Sequence, residues 1–64
     1  MSDPFWQNRF HRCALVAGFI AAAEGRLEDS RYVRDLTYGL FVRGAFALPD
    51  SLRETGRSLL ELEP

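Results

Sequence analysis

Cys13 and His11, the chain's only cysteine and histidine, are the residue types from which a thiolate nucleophile and its imidazole base are built. Their spacing works against that pairing. Two positions apart on a helix, side chains diverge by about 200°, so the two groups cannot meet within one helix. Cys13 sits in an apolar run, where a cysteine acts as a small hydrophobe, and His11 falls on the polar side. A single cysteine closes no internal disulfide. A single histidine leaves a metal to carboxylates, an unusual donor set for a zinc site of this size. Glu24, Glu28 and Asp29 gather near one turn as a solvated acidic group. No Gly-rich phosphate loop, paired-carboxylate cleft or metal-ligand spacing occurs. All eight basic residues are arginine, which removes lysine Schiff-base and P-loop chemistry outright. These residues predict no catalytic group, no cofactor and no metal, hence a protein that is not an enzyme.

With 64 residues the chain has room for one domain, spanning 1–64. A domain this small buries only about 60% of the surface its unfolded chain exposes, so something must supplement the core. With disulfide and metal set aside, association with another chain remains, and a homodimer is expected. The net charge of -1 argues against broad binding to nucleic acid, which needs a basic face to displace counterions. A hydrophobic content of 47% with five phenylalanines argues against disorder. Arginine without lysine fits a GC-rich genome, and on size and composition alone a phage or mobile-element protein is expected.

Arg9 and Arg12 ahead of the apolar run Cys13 to Ala23, closed by Ala21-Ala22-Ala23, imitate a secretory leader with a small-residue cleavage site. Trp6, Gln7, Asn8 and Phe10 give the upstream stretch a helical pattern of its own, so a cytoplasmic protein is expected. The eleven-residue run falls short of the roughly 20 needed to cross a bilayer, and no membrane partner is expected.

The positioning elements are all helical. Asp3-Pro4 is a helix start, Asp as cap and Pro at the first helical position, and predicts helix 4–24 ended by Gly25. Asp29 or Ser30 caps a second helix, 31–43, ended by Gly44. Ala45 to Leu48 leads into Pro49 as an ordered connector. Ser51-x-x-Glu54 has the capping-box spacing, with Asp50 as the competing cap, and opens a third helix, 51–62. The expected fold is all-α: a helical hairpin plus a short third helix, docked on it or on a neighbouring subunit and completed by homodimerisation.

Steps of about 100° per residue separate the faces. In the first helix Trp6, Phe10, Cys13, Ala17 and Ile20 share a stripe. Leu15 and Phe19 point nearly opposite, beside Ala22, with no charge until Glu24, and a helix apolar all round is expected to be wrapped all round. Ala14, Gly18 and Ala22 form a small-xxx-small ladder, which serves the hairpin's own packing first and a dimer seam as the alternative. In the second helix Tyr32, Val33, Leu36 and Leu40 face the first, while Tyr38, Phe41 and Val42 lie on the outer side. The third helix has a stripe of Leu52, Thr55, Leu59 and Leu62, with an Arg57–Glu61 pair opposite.

Apolar demand exceeds what three short helices satisfy, the excess being Leu15, Phe19, Tyr38, Phe41, Val42 and Phe46, and a large exposed apolar patch marks a binding surface. The expected function is regulation or inhibition by binding another protein. Arg34, Tyr38, Phe41 and Val42 are the candidate partner surface; Ala14, Leu15, Gly18, Phe19 and Ala22 are the candidate self-association surface. The alternative is a small DNA-binding regulator of helix-turn-helix type, with a basic strip of Arg9, Arg12, Arg31 and Arg34. Against it, the third helix is net acidic and the connector before it is long for that motif.

Overall fold

The computed structural model describes residues 8–62, and among them lie three α-helices and one 3₁₀ turn. α1 spans Arg9–Ala23, α2 spans Ser30–Arg43 and α3 spans Asp50–Leu60, with the 3₁₀ turn at Gly44–Ala47. No strand occurs among the described residues, and the chain is all-α.

α1 begins later than Asp3-Pro4 suggests. Asn8 is extended (φ -80°, ψ 107°), and its side-chain oxygen accepts from the backbone amides of Phe10 and His11 at 3.0 and 3.2 Å. A capping Asn supplies a helix start and opposes continuation through its own position. An unbroken helix from Pro4 is therefore not formed; Asp3, Pro4 and Trp6 lie outside the described residues. The other end closes as a Schellman turn. Gly25 takes φ 72°, Arg26 N–H donates to the Ala21 carbonyl at 2.7 Å, and Gly25 N–H donates to Ala22.

Asp29 caps α2, accepting from the Tyr32 amide at 3.0 Å, and Gly44 (φ 65°) ends it. α3 differs from its expected start. It opens at Asp50 after Pro49, with no side-chain cap, so Ser51 already lies inside the first turn and the capping box is not made. Asp50 instead pairs with Arg53 at 2.8 Å, one turn on. Likewise Arg57 pairs with Glu54, at i,i+3, in place of Glu61.

α1 and α2 run antiparallel. Phe10 near the start of α1 meets Tyr38 and Phe41 late in α2, while Glu24 just past α1 accepts a hydrogen bond from Tyr32 early in α2. The core takes Cys13, Val16, Ala17 and Ile20 from α1, Leu36 and Leu40 from α2, and Leu48 from the connector. The segment that imitates a leader thus supplies much of the core. Tyr32, Val33, Leu52, Leu59 and Leu60 pack around these residues half-buried. α3 docks on α1 of the same chain, where Arg12 donates to the carbonyls of Leu60 and Leu62. Its inner stripe is Leu52, Gly56, Leu59 and Leu60: Thr55 and Leu62 are exposed, and Gly56 fills the buried position. Thr37 is buried on α2, its hydroxyl donating to the Val33 carbonyl at 2.7 Å. Among the described residues no helix is long and apolar enough to cross a membrane.

Candidate protein-interaction surface

The third helix and connector close the core through Leu48, Leu52, Leu59 and Leu60 and leave much of the apolar excess outside. Phe19 is 57% exposed, Tyr38 54%, Val42 75% and Phe46 79%. The second half of α1, apolar around its whole circumference, is therefore not wrapped by this chain. Burial stops at the arc that α2 and α3 can reach, and Leu15, Phe19, Ala22 and Ala23 stay exposed.

Two separate apolar surfaces result. The first is the outer face of α2. Arg34, Tyr38 and Phe41 stand at i, i+4 and i+7, a spacing that aligns side chains along one helical stripe, and Val42 flanks it. All four are exposed. The start of α1 extends this face. The Phe10 ring packs edge-on against Tyr38 (centroids 5.3 Å apart, planes at 62°) and against Phe41 (5.4 Å, 74°). The Arg9 guanidinium lies 5.2 Å from the Phe41 ring centroid. Edge-to-face rings and a cation over a ring are mutually attractive, so the cluster holds its shape while exposed. Phe10 was expected on the buried stripe with Cys13. It sits at the edge of that stripe, and the ring turns toward α2.

The second surface is a shallow groove of about 160 Å³ between α1 and α3, lined by Leu15, Val16, Phe19, Leu59 and Leu62. Leu15 and Phe19 border it, as the wheel placed them opposite the core. The small-residue ladder is divided. Ala14 and Gly18 are half-buried, Gly18 facing Leu27 of the following loop, and Ala22 alone of the three is exposed. Leu62, from the apolar stripe expected for the third helix, closes this side, and Leu27 joins it from the loop after α1, beyond any periodic stripe.

Arg12 does not join the expected strip of Arg9, Arg12, Arg31 and Arg34. Arg9 leans over Phe41 on the α2 side, whereas Arg12 is drawn to the carbonyl end of α3. A cation at that end meets the negative end of the α3 dipole as well as the two oxygens. Arg53 lies 5.9 Å from the Phe46 ring centroid, and Arg26 lies over Tyr32 beside Asp29, closing the turn between α1 and α2.

Cys13 is buried, and burial pushes its thiol above the ordinary value despite the opposing pull of Arg9 and Arg12. Raising the pKa keeps the sulfur protonated and a poor nucleophile. His11 is exposed on the far side of α1. Among the described residues no group of three or more His, Cys, Asp or Glu side chains is placed to hold a metal ion. Comparison with protein-family models, with curated proteins and with solved structures gives no match to this chain.

Proposed function

We propose that the protein is a small non-enzymatic regulator or inhibitor that acts by binding another protein through the outer face of α2. The observation that supports this reading is the cluster of half-buried Phe10 with exposed Tyr38 and Phe41, mutually packed and flanked by Arg9 and Arg34. Aromatic and arginine side chains dominate the energetics of protein interfaces, and a pre-packed cluster loses little side-chain freedom on binding. Affinity capture with the full chain and with Phe41→Ala tests it. A partner retained by the wild type and lost by a folded Phe41→Ala variant is the expected result. A labelled DNA duplex shifted with steep salt dependence, and released by Arg9→Ala with Arg34→Ala, overturns it in favour of a DNA-binding regulator.

The groove between α1 and α3 supports a second surface, for self-association. Leu15 and Phe19 place two large apolar side chains in water beside Leu62. Light scattering coupled to size-exclusion chromatography across a hundredfold concentration range measures it. A dimer dissociated by Phe19→Glu is expected, and a monomer throughout overturns it.

A further inference from the structure

The outer face of α2 carries charge as well as aromatic surface, and the two are arranged along one line. Arg31, Arg34, Tyr38 and Phe41 recur at intervals of three and four, with Val42 beside them, so the stripe runs about 16 Å, or three helical turns. Arg9 joins it from α1 over the Phe41 ring. Three arginines (Arg9, Arg31 and Arg34) stand here against one acid (Asp35), a local charge of +2 in a chain whose net charge is -1. The other described residues carry five arginines and six acids, a balance of -1. α1 also opens without an acidic residue in its first turn, its Phe10 and His11 amides being capped by the neutral Asn8 side chain.

We infer that this face receives an acidic amphipathic helix of a partner protein. Its apolar residues, spaced i, i+3/i+4 and i+7, would lie on Tyr38, Phe41 and Val42, and its flanking carboxylates would pair with Arg9, Arg31 and Arg34. This rests on the protein-binding reading and assigns the partner's chemistry. The length of the stripe matches a helix laid along it, and arginine forks suit carboxylates bidentately. A nucleic-acid strand fits less well. Asp35 stands within the face, the phosphate neutralisation available from three arginines is small, and bases need open ring faces to stack on. Here Arg9 lies over Phe41, and the rings are packed edge to face.

The test is selection from a displayed library of amphipathic helical peptides, each of about 18 residues so as to exceed the stripe. The Leu/Phe stripe is fixed, and the flanking positions are randomised among Glu, Gln and Lys. The full-length chain is the bait. Glu is expected to be enriched at the flanks with the wild type, and to give way to Lys with Arg9→Glu combined with Arg34→Glu. If that variant loses its helical circular dichroism, Arg9→Gln with Arg34→Gln must abolish the Glu preference. Phe41→Ala is expected to weaken the selected peptides by about tenfold, in line with loss of an interface anchor. Peptides enriched with neutral or basic flanks, or held equally by the charge variants, overturn the acidic-helix proposal and leave protein binding standing. No enrichment over empty resin overturns the acidic-helix proposal, and a partner retained in the affinity capture then leaves protein binding standing. Conversion of a dimer of the chain to monomer by the selected peptides, followed by light scattering, identifies a second copy as the occupant. Binding of single-stranded oligonucleotides within about tenfold of the best peptide at physiological salt identifies nucleic acid. Either of these overturns the proposal.

Discussion

Leu48 occupies the space that a side chain at position 56 would need. A Cβ placed on Gly56 would overlap Leu48 Cδ1 and lie 3.4 Å from its Cγ, and Leu48 is only 2% exposed. The connector thus enters the core by using the missing side chain on α3. Gly56→Ala gains up to about 1 kcal/mol of helix propensity, but overpacking a filled core costs about 1–3 kcal/mol. The expected net effect is destabilisation, read as a lower midpoint in chemical denaturation. Gly18→Ala is the matched control. A Cβ there meets only Leu27 Cδ1 at 4.0 Å, so the propensity gain of about 1 kcal/mol should appear as added stability. Equal effects at the two positions would contradict this packing.

Arg12 ties the end of α3 to α1. Its guanidinium donates to the carbonyl of Leu60, which the helix itself leaves without a partner, and to that of Leu62 just beyond the helix. Arg12→Ala should cost about 1–2 kcal/mol, the range for a charge-assisted hydrogen bond partly open to water. The loss should be local. Amide exchange should quicken in the last turn of α3 and stay unchanged in α2. Uniform quickening across all three helices would mean that α3 is not held at this point.

The contrast between Gly56 and Arg34 shows which parts of this molecule the sequence carries. The outer stripe of α2 repeats over three turns, so small errors in angle do not move its residues to another face. Helix ends at Gly25 and Gly44, and the Asp29 cap, are likewise local, since each needs only the chemistry of one or two residues. α3 is short, and placing residues at fixed angles cannot tell that Leu48, distant in structure until the connector folds, fills the slot at Gly56 and leaves Thr55 in water. The start of α1 was ambiguous for a different reason. Asp3-Pro4 carries start chemistry, but Asn8, which reads by pattern as an interior residue of that helix, caps a new one and breaks any run through position 8. Phe19 stays exposed because burial needs facing surface as well as an apolar circumference, and this chain supplies that surface on only part of α1.

Cys13 should behave as a core residue toward reagents and toward pH. Burial raises its thiol pKa above the value it has in the unfolded chain. The native state then holds the proton to higher pH than the unfolded state does. Its contribution is fully present below the unfolded thiol's pKa and is lost as pH rises through the folded one. Wild-type stability should therefore fall more steeply on the alkaline side than that of Cys13→Ala, measured by denaturation over a pH series. Thiol reagents should modify the native protein only at the rate of opening. Immediate stoichiometric labelling under native conditions would place Cys13 outside the core.

Asp29 sets the opposite dependence, on the acid side. The Tyr32 amide hydrogen-bonded to its carboxylate holds the group below the ordinary carboxylate range, with the Arg26 side chain adding to the effect. A group so lowered binds its proton more weakly in the folded state than in the unfolded one. Its contribution is complete above the unfolded pKa and disappears as pH falls through the folded value. Asp29→Asn keeps an oxygen to cap the helix and removes the charge, so it should retain α2 at neutral pH while flattening the acid limb of the Tm profile. Asp29→Ala removes cap and charge together. It should lower Tm at neutral pH too, with fraying concentrated at Ser30, Arg31 and Tyr32, where the first turn would lose its acceptor. An acid limb unchanged in Asp29→Asn would show that the carboxylate is not what the first turn of α2 depends on.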